Sequence, residues 1–130
     1  MEFDLKTGMS FTSEIVVEEK DTAVAFGSGN MYVLSTPMMI GLMENAALKA
    51  VDLHLPKGYQ TVGIHLDVKH LAATPMGMKA SATAELMEID GKKLIFKVVA
   101  YDEKDKIGEG YHTRFIIESE SFMKTTEGKK

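Results

Sequence analysis

The chain has 130 residues, of which 45% are hydrophobic and 26% are charged, so length and composition predict one globular domain with a hydrophobic core. The formal net charge of −4 argues against a nucleic-acid partner. The absence of cysteine excludes disulfides, a thiol nucleophile and thiolate metal sites, and it fits a cytoplasmic protein. The acidic N-terminus lacks the apolar run of a signal peptide. No apolar stretch reaches the roughly 18 residues of a membrane span, so we expect no membrane partner.

The first half of the chain predicts a strand, a loop and a long helix. Residues 9–17 alternate loosely and predict a strand, and the segment GSGN at 27–30 predicts a loop. Thr36 is a favourable N-cap and Pro37 a favourable first helical residue, so we expect a helix from Pro37 to about Leu53. This helix is apolar on nearly all sides, which is typical of a buried helix.

The second half predicts an antiparallel meander, because its hydrophobic period changes to two. In the first of these strands, strict alternation places Gly63 and His70 on opposite faces. One helix on an antiparallel sheet predicts an α+β domain over residues 1–117, followed by a polar and frayed tail at 118–130. Since one helix covers only one face of the sheet, a second copy of the chain is the expected partner. The expected strands cover residues 62–70, 78–86, 94–100 and 107–117.

Thr36, Glu44 and His70 are the candidate catalytic residues. A hydroxyl, a carboxylate and an imidazole can together activate water or a nucleophile and transfer its proton. Each residue also has a structural interpretation. Thr36 can be a plain helix cap, and His70 can be a core histidine bound to the backbone. Glu44, although it lies in an apolar helix where carboxylates are rare, can reach solvent or pair with Lys49 or Arg114.

The spacing of Thr36 and Glu44 argues that the helix alone does not form a site. Eight residues of helix span about 12 Å along its axis, so the two side chains should not touch. We therefore expect His70, or groups from a second subunit, to complete the arrangement.

Three segments resemble one family of enzymes. The segments STPMMIGLMENAA, LPKGYQTVGIHLDVKHLAATPMGM and GEGYHTRFII are similar to the hotdog-fold acyl-CoA thioesterases of the fluoroacetyl-CoA thioesterase-like group, over roughly residues 5–117. The family motif is a Thr-Pro at the helix start, a Glu inside the helix and a His at the end of a strand, here Thr36, Glu44 and His70. The resemblance implies a hotdog fold. It also implies that Gly63 and Arg114 contact the substrate, and that homodimers or homotetramers carry active sites at subunit interfaces.

The resemblance implies hydrolysis of an acyl-CoA to free acid and CoA, with no cofactor and no metal. Glu44 would be the nucleophile or general base, His70 would transfer the proton and orient the acyl group, and Thr36 would hydrogen-bond Glu44, His70 or the substrate. The fluoroacetyl-specific member has an aromatic lid before its Thr-Pro. Here residues 26–32 keep aromatic residues only at their ends, so a short or medium acyl chain is expected. A non-catalytic acyl-thioester-binding module, a hotdog dehydratase or hydratase, and a purely structural oligomer are the alternatives.

The remaining histidines suggest no second site. A metal-binding cluster is suggested by the spacing of His65, Asp67 and His70. However, His65 and His70 are an odd number of residues apart on a strand and should face opposite sides. His54 and His112 belong to no motif, and we interpret them as surface or packing residues.

Overall fold

Five strands form one antiparallel sheet in this computed structural model, which describes residues 3–130. The sheet order is β1-β3-β4-β5-β2, so β1 and β2 are its edges. The expected α+β architecture is confirmed, and the first two residues of the predicted domain at 1–117 lie outside the described residues. In chain order the elements are β1 (Ser10–Val16), α1 (Ala23–Phe26), α2 (Thr36–Val51), β2 (Tyr59–His70), β3 (Lys79–Asp90), β4 (Lys93–Asp102), β5 (Lys106–Glu118) and α3 (Ser119–Glu127), with single 3₁₀ turns at Glu19–Asp21 and Asp52–His54.

Helix α2 begins one residue earlier than predicted, because Ser35 and not Thr36 is its N-cap. The Ser35 side chain accepts a hydrogen bond from the Met38 N–H at 3.2 Å, and its backbone is extended, as an N-cap requires. The prediction that Thr36 caps the helix is therefore wrong. Pro37 still lies in the first turn, where its missing N–H costs no helical hydrogen bond. At the other end the chain tightens into a 3₁₀ turn after Val51.

The core lies between α2 and the sheet. Alternate residues of β3 and β4 are buried beneath the helix, as the period of two predicted. Three of the four buried residues of β3 are alanines, and their small side chains leave room for the helix to lie close to the sheet. The buried residues of these three elements are Met39, Leu42, Met43, Ala46, Ala47, Ala50, Val51, Ala80, Ala82, Ala84, Leu86, Leu94, Phe96, Val98 and Ala100.

A β-bulge in β2 changes which side chains face α2. Gly63 pairs with Arg114 and Leu66 pairs with His112, with a register shift between Gly63 and residue 65. Because residues two apart on β5 share a face, Gly63 and Leu66 share one too, and Ile64 is the extra residue. His70 is in phase with Leu66. The prediction that Gly63 and His70 face opposite sides is therefore wrong, since both face α2.

The C-terminal segment is more ordered than its composition suggested. Residues 119–127 form α3, and all its non-polar side chains remain outside the core. The segment is polar as predicted, but the prediction of a frayed tail is wrong over this range. Of the helices between residues 3 and 130, none combines the length and apolar character needed to cross a bilayer.

Candidate active site

Thr36 and His70 form the first part of the site. Thr36 Oγ1 lies 2.7 Å from His70 Nδ1, which is a short hydrogen bond between the first residue of α2 and the last residue of β2. The contact is available because Ser35 caps the helix, which leaves the Thr36 hydroxyl free. Of the partners expected for the Thr36 hydroxyl, His70 is the one that it contacts within one chain.

His70 has one ring nitrogen without a partner. Its Nε2 is buried, and among the described residues it has no hydrogen-bond partner. Burial lowers the pKa of His70, and the backbone of Ala72 opposes this effect only in part. The imidazole is therefore neutral near pH 7. A buried nitrogen without a partner is uncommon in native structures, which makes it a candidate contact for a ligand or a second chain.

A cleft of about 430 Å³ lies beside this pair. It runs between the start of α2, the segment that follows β2, and the loop before the helix. Thr36 is exposed to solvent in this cleft, and Glu44 is not part of its wall. The lining residues are Ala23, Ser28, Val33, Leu34, Ser35, Thr36, His70, Leu71, Ala72 and Ala73.

Glu44 lies in a second cluster, next to Gly63, His112 and Arg114. A Cβ atom at position 63 would lie 3.0 Å from Glu44 Oε2, 3.0 Å from His112 Cε1 and 3.5 Å from Arg114 Nη1. Only a glycine lets these three side chains come so close to the strand backbone. Gly63 and Arg114, which the family resemblance implied, are thus brought together with Glu44.

Arg114 is a buried cation that is held by neutral groups. Its side chain is 5% exposed, Nε donates to Thr61 Oγ1 at 2.7 Å and Nη2 donates to the Thr61 carbonyl at 2.9 Å. Burial lowers the pKa of Arg114, while the charges of Asp52 and Glu44 act in the opposite direction. Arg114 nevertheless stays charged, because an arginine is not deprotonated in proteins. Charged side chains are rarely buried this deeply without a structural or functional reason.

Glu44 is half-buried and forms no ion pair. None of the five ion pairs found among residues 3–130 includes Glu44 or Arg114. Lys49, one of its expected structural partners, instead places Nζ 5.7 Å from the centre of the Phe11 ring. The interpretation of Glu44 as half of an ordinary ion pair therefore finds no support.

One chain thus holds two separate clusters. Thr36 and His70 lie at the start of α2, whereas Glu44 lies two turns later, about 12 Å along the helix axis. His112, interpreted from sequence as a surface or packing residue, is fully buried in the second cluster. Its position two residues before Arg114 on a strand was the signal that both share a face. No group of three or more potential ligands among the described residues could hold a metal ion.

The architecture of a single long helix against an antiparallel sheet is that of the hotdog fold, and the helix carries the Thr-Pro and Glu motif of one thioesterase family. The model of that family, the fluoroacetyl-CoA-specific thioesterases, matches residues 17–120. The chain belongs to this family, as the sequence resemblance indicated.

Individual relatives agree with this assignment. Fluoroacetyl-CoA thioesterase from Streptantibioticus cattleyicolor is 41% identical over 90 residues, which cover 69% of this chain. The matched region spans 65% of that relative. The solved structure of the fluoroacetyl-CoA thioesterase FlK superposes with a TM-score of 0.92 at 33% identity, over 97% of this chain and 98% of the other. A hot-dog-like protein from Thermanaerovibrio acidaminovorans shares the fold, with a TM-score of 0.86 at 20% identity over 95% and 91% of the two chains.

Proposed function

We propose that this protein is an acyl-CoA thioesterase that hydrolyses a short or medium acyl-CoA to the free acid and CoA. The observation that carries the proposal is the Glu44 carboxylate. It lies beside the Gly63 backbone and the buried Arg114 guanidinium without being neutralised by an ion pair. Membership of a thioesterase family supports the same reaction. The reaction needs neither a metal nor a redox cofactor, and CoA enters as part of the substrate.

In the proposed reaction, Glu44 acts as general base. It takes a proton from a water molecule as the water oxygen attacks the carbonyl carbon of the thioester. The carbonyl oxygen then carries the negative charge, and the Arg114 guanidinium and the Gly63 backbone lie on the side of the site where this charge is stabilised. When the intermediate collapses, the C–S bond breaks and the proton is passed to the CoA thiolate.

Thr36 and His70 orient the thioester and complete the proton route in this proposal. Their hydrogen bond fixes the plane of the imidazole and leaves the buried Nε2 for a further contact. The first amides of α2 lie in the same region, where the positive end of the helix dipole favours a developing negative charge.

A homodimer explains how two separate clusters serve one reaction. Strand β2 is an edge of 12 residues with an unpaired side, and its Ile64 is 55% exposed, which is a surface that a second chain can cover. Antiparallel pairing about a two-fold axis at Asp67, with Ile64 bulged out in each copy, would set Gly63 of one copy opposite the partner's His70. Glu44 of one copy would then face the partner's imidazole. A homotetramer of two such dimers would keep the same sites.

The loop before α2 supports a substrate broader than fluoroacetyl-CoA. Phe26 and Tyr32 are exposed at the two ends of this loop, and the residues between them at 27–30 are glycine, serine and asparagine. No aromatic side chain from these four residues can close the cleft over a small acyl group. On its lack of cysteine we place the enzyme in the cytoplasm.

Thiol release from a panel of acyl-CoA esters tests the reaction. We expect hydrolysis of short and medium acyl-CoA esters by the purified chain, and a loss of this activity in Glu44→Ala. Glu85→Ala, which changes an exposed glutamate on β3, is the matched control. Binding of CoA esters without turnover would make the protein a binding module instead. Conversion of an enoyl-CoA or hydroxyacyl-CoA without thiol release would make it a hydratase or dehydratase.

Mixing two inactive variants tests whether the site is shared. Glu44→Ala and His70→Ala are each expected to be inactive, and unfolding and refolding them together produces mixed dimers. In a shared site each mixed dimer holds one intact site of two. Equal mixing should therefore restore about one quarter of the wild-type activity, since half of the dimers are mixed. If the residues acted within one chain, both sites of a mixed dimer would be damaged and no activity would return.

A further inference from the structure

We infer that His112 is a positioning residue of this site, which holds the Arg114 guanidinium towards Glu44 by accepting a hydrogen bond as a neutral imidazole. This inference assigns a role to a residue outside the family motif of Thr36, Glu44 and His70. It rests on the proposed function, because the guanidinium that His112 holds is the one proposed to meet the substrate.

The contacts of His112 define its tautomer. Nδ1 lies 2.9 Å from the carbonyl oxygen of His65, and since a carbonyl can only accept, Nδ1 carries the proton. Nε2 lies 3.1 Å from Arg114 Nη1, and since a guanidinium can only donate, Nε2 carries the lone pair. Both nitrogens are thus satisfied only by the neutral ring with its proton on Nδ1.

The surroundings of His112 keep the ring uncharged. The side chain is 0% exposed, and burial is the largest cause that lowers the pKa of His112. The charged or titratable groups that face it are Arg114 on its own strand, His65 on β2 and Glu44 on α2. The Arg114 charge lowers the pKa further, and Glu44 and the hydrogen bond to the His65 carbonyl raise it. A protonated ring would also lose its lone pair, and with it the bond to Arg114.

Arg114 is fixed from the opposite side by a second set of contacts. Asp52 Oδ1 accepts a hydrogen bond from the Thr61 hydroxyl at 2.6 Å, and the same Thr61 oxygen accepts from Arg114 Nε. The guanidinium is therefore held between Thr61 and His112. One N–H of Nη1 donates to His112. The second N–H of the same nitrogen is left to donate to a group that binds between Gly63 and Glu44. Rigid support of this kind is what keeps a catalytic donor in place.

Nuclear magnetic resonance of the wild-type protein tests the tautomer without reference to activity. Long-range ¹H–¹⁵N spectra of the four histidines should show one ring protonated on Nδ1 that is still neutral at the pH where an unperturbed histidine is half protonated. The signal that is missing in His112→Gln identifies His112. A proton on Nε2, or titration near the ordinary histidine pKa, would overturn the inference.

Kinetics of two substitutions test the positioning role. His112→Gln keeps a carbonyl oxygen that can accept from Arg114, whereas His112→Leu keeps the bulk of the side chain and offers no acceptor. We expect kcat/KM to fall at least tenfold in His112→Leu and to recover for the most part in His112→Gln. The exposed His54→Gln is the control.

The outcomes separate this inference from the proposed function. Equal kcat/KM losses in the two His112 variants, or no loss in either, would contradict positioning through the acceptor. A wild-type protein without thiol release would remove the proposed function, while the spectra would still decide the tautomer. If His112→Leu does not fold, the spectra of the wild-type protein and the kinetics of His112→Gln still test the inference. His112→Gln must then retain most of the wild-type kcat/KM.

Discussion

The Thr36 hydroxyl hydrogen-bonds His70 and not the backbone of helix α2, because the neighbouring Ser35 already caps the helix. The Thr36 oxygen lies 2.7 Å from His70 Nδ1, and the Ser35 oxygen accepts the Met38 N–H. Ser35 thus stabilises the start of the helix, and the adjacent Thr36 is left to contact the imidazole of the site. A change at Thr36 should therefore affect activity much more than stability.

The first prediction concerns this hydrogen bond. Thr36→Val keeps the shape of the side chain and removes the oxygen, and loss of a hydrogen bond worth about 1.5 kcal/mol should lower kcat/KM about tenfold. Thr36→Ser should stay close to wild type. Steady-state thiol release and thermal unfolding measure both quantities. Similar activity in the valine and serine variants would show that the hydroxyl has no role in turnover.

The second prediction concerns the Glu44 carboxylate. Glu44→Gln keeps size and polarity but removes the base, so kcat should fall on the order of 10²- to 10⁴-fold. KM should change little, because the amide still fills the same space. Glu85→Gln serves as the matched surface control. Retention of wild-type kcat in Glu44→Gln would refute the general-base role.

The third prediction concerns the glycine beside the carboxylate. Gly63→Ala places a Cβ 3.0 Å from both Glu44 Oε2 and His112 Cε1, so one of these side chains must move. We expect most of the activity to be lost while the fold persists. Gly41→Ala is the control, because a Cβ there has no neighbour within 4 Å and alanine in a helix is favoured by about 0.5–1 kcal/mol. Activity assays and circular dichroism check both variants.

The fourth prediction concerns the pH dependence of stability. Burial lowers the folded-state pKa of His70 and of His112 below the ordinary 6.5. At a pH between the folded-state pKa and 6.5, the unfolded chain therefore binds more protons than the folded chain. The free energy of unfolding should therefore be unaffected by these groups above about pH 7 and should fall as the pH drops through 6.5, by at most about 1.4 kcal/mol per pH unit for each histidine. Urea unfolding at several pH values measures this slope. His112→Gln should make the slope shallower, and an unchanged slope would mean that His112 is not buried as a neutral ring.

Much of the fold follows from local pattern alone. The period of two in β3 and β4 and the apolar segment from Pro37 to about Leu53 predicted the elements and the side of the sheet that is buried. The bulge in β2 was not predicted from the sequence. The extra residue, Ile64, has no signal in the composition and is recognised only from the pairing of β2 with β5. Strict alternation therefore assigned Gly63 to the wrong face.

The candidate site was predicted in part, for a similar reason. Motif spacing indicated Thr36, Glu44 and His70, and the expectation that the helix alone cannot join them agrees with the two clusters. The supporting role of His112 depends on which face of β5 meets the helix, and that is decided by long-range pairing. The capping by Ser35 was missed because a proline at the first helical position predicts Thr36 as the cap, whereas Pro37 is the second residue of the helix.

The bulge at Ile64 also determines how many residues can separate Gly63 from His70 while both face helix α2. Deleting one residue of the regular stretch between Leu66 and Lys69 would turn the following residues to the other face of the sheet, so the imidazole would lie away from the Thr36 hydroxyl. Deleting Ile64 would instead remove the bulge and leave Gly63 and His70 on the same face. Removing two residues of the regular stretch would keep His70 on the same face of the sheet as Gly63 but would shorten the distance between them. Engineers who graft this strand into another scaffold must therefore transplant its irregular spacing together with its residues.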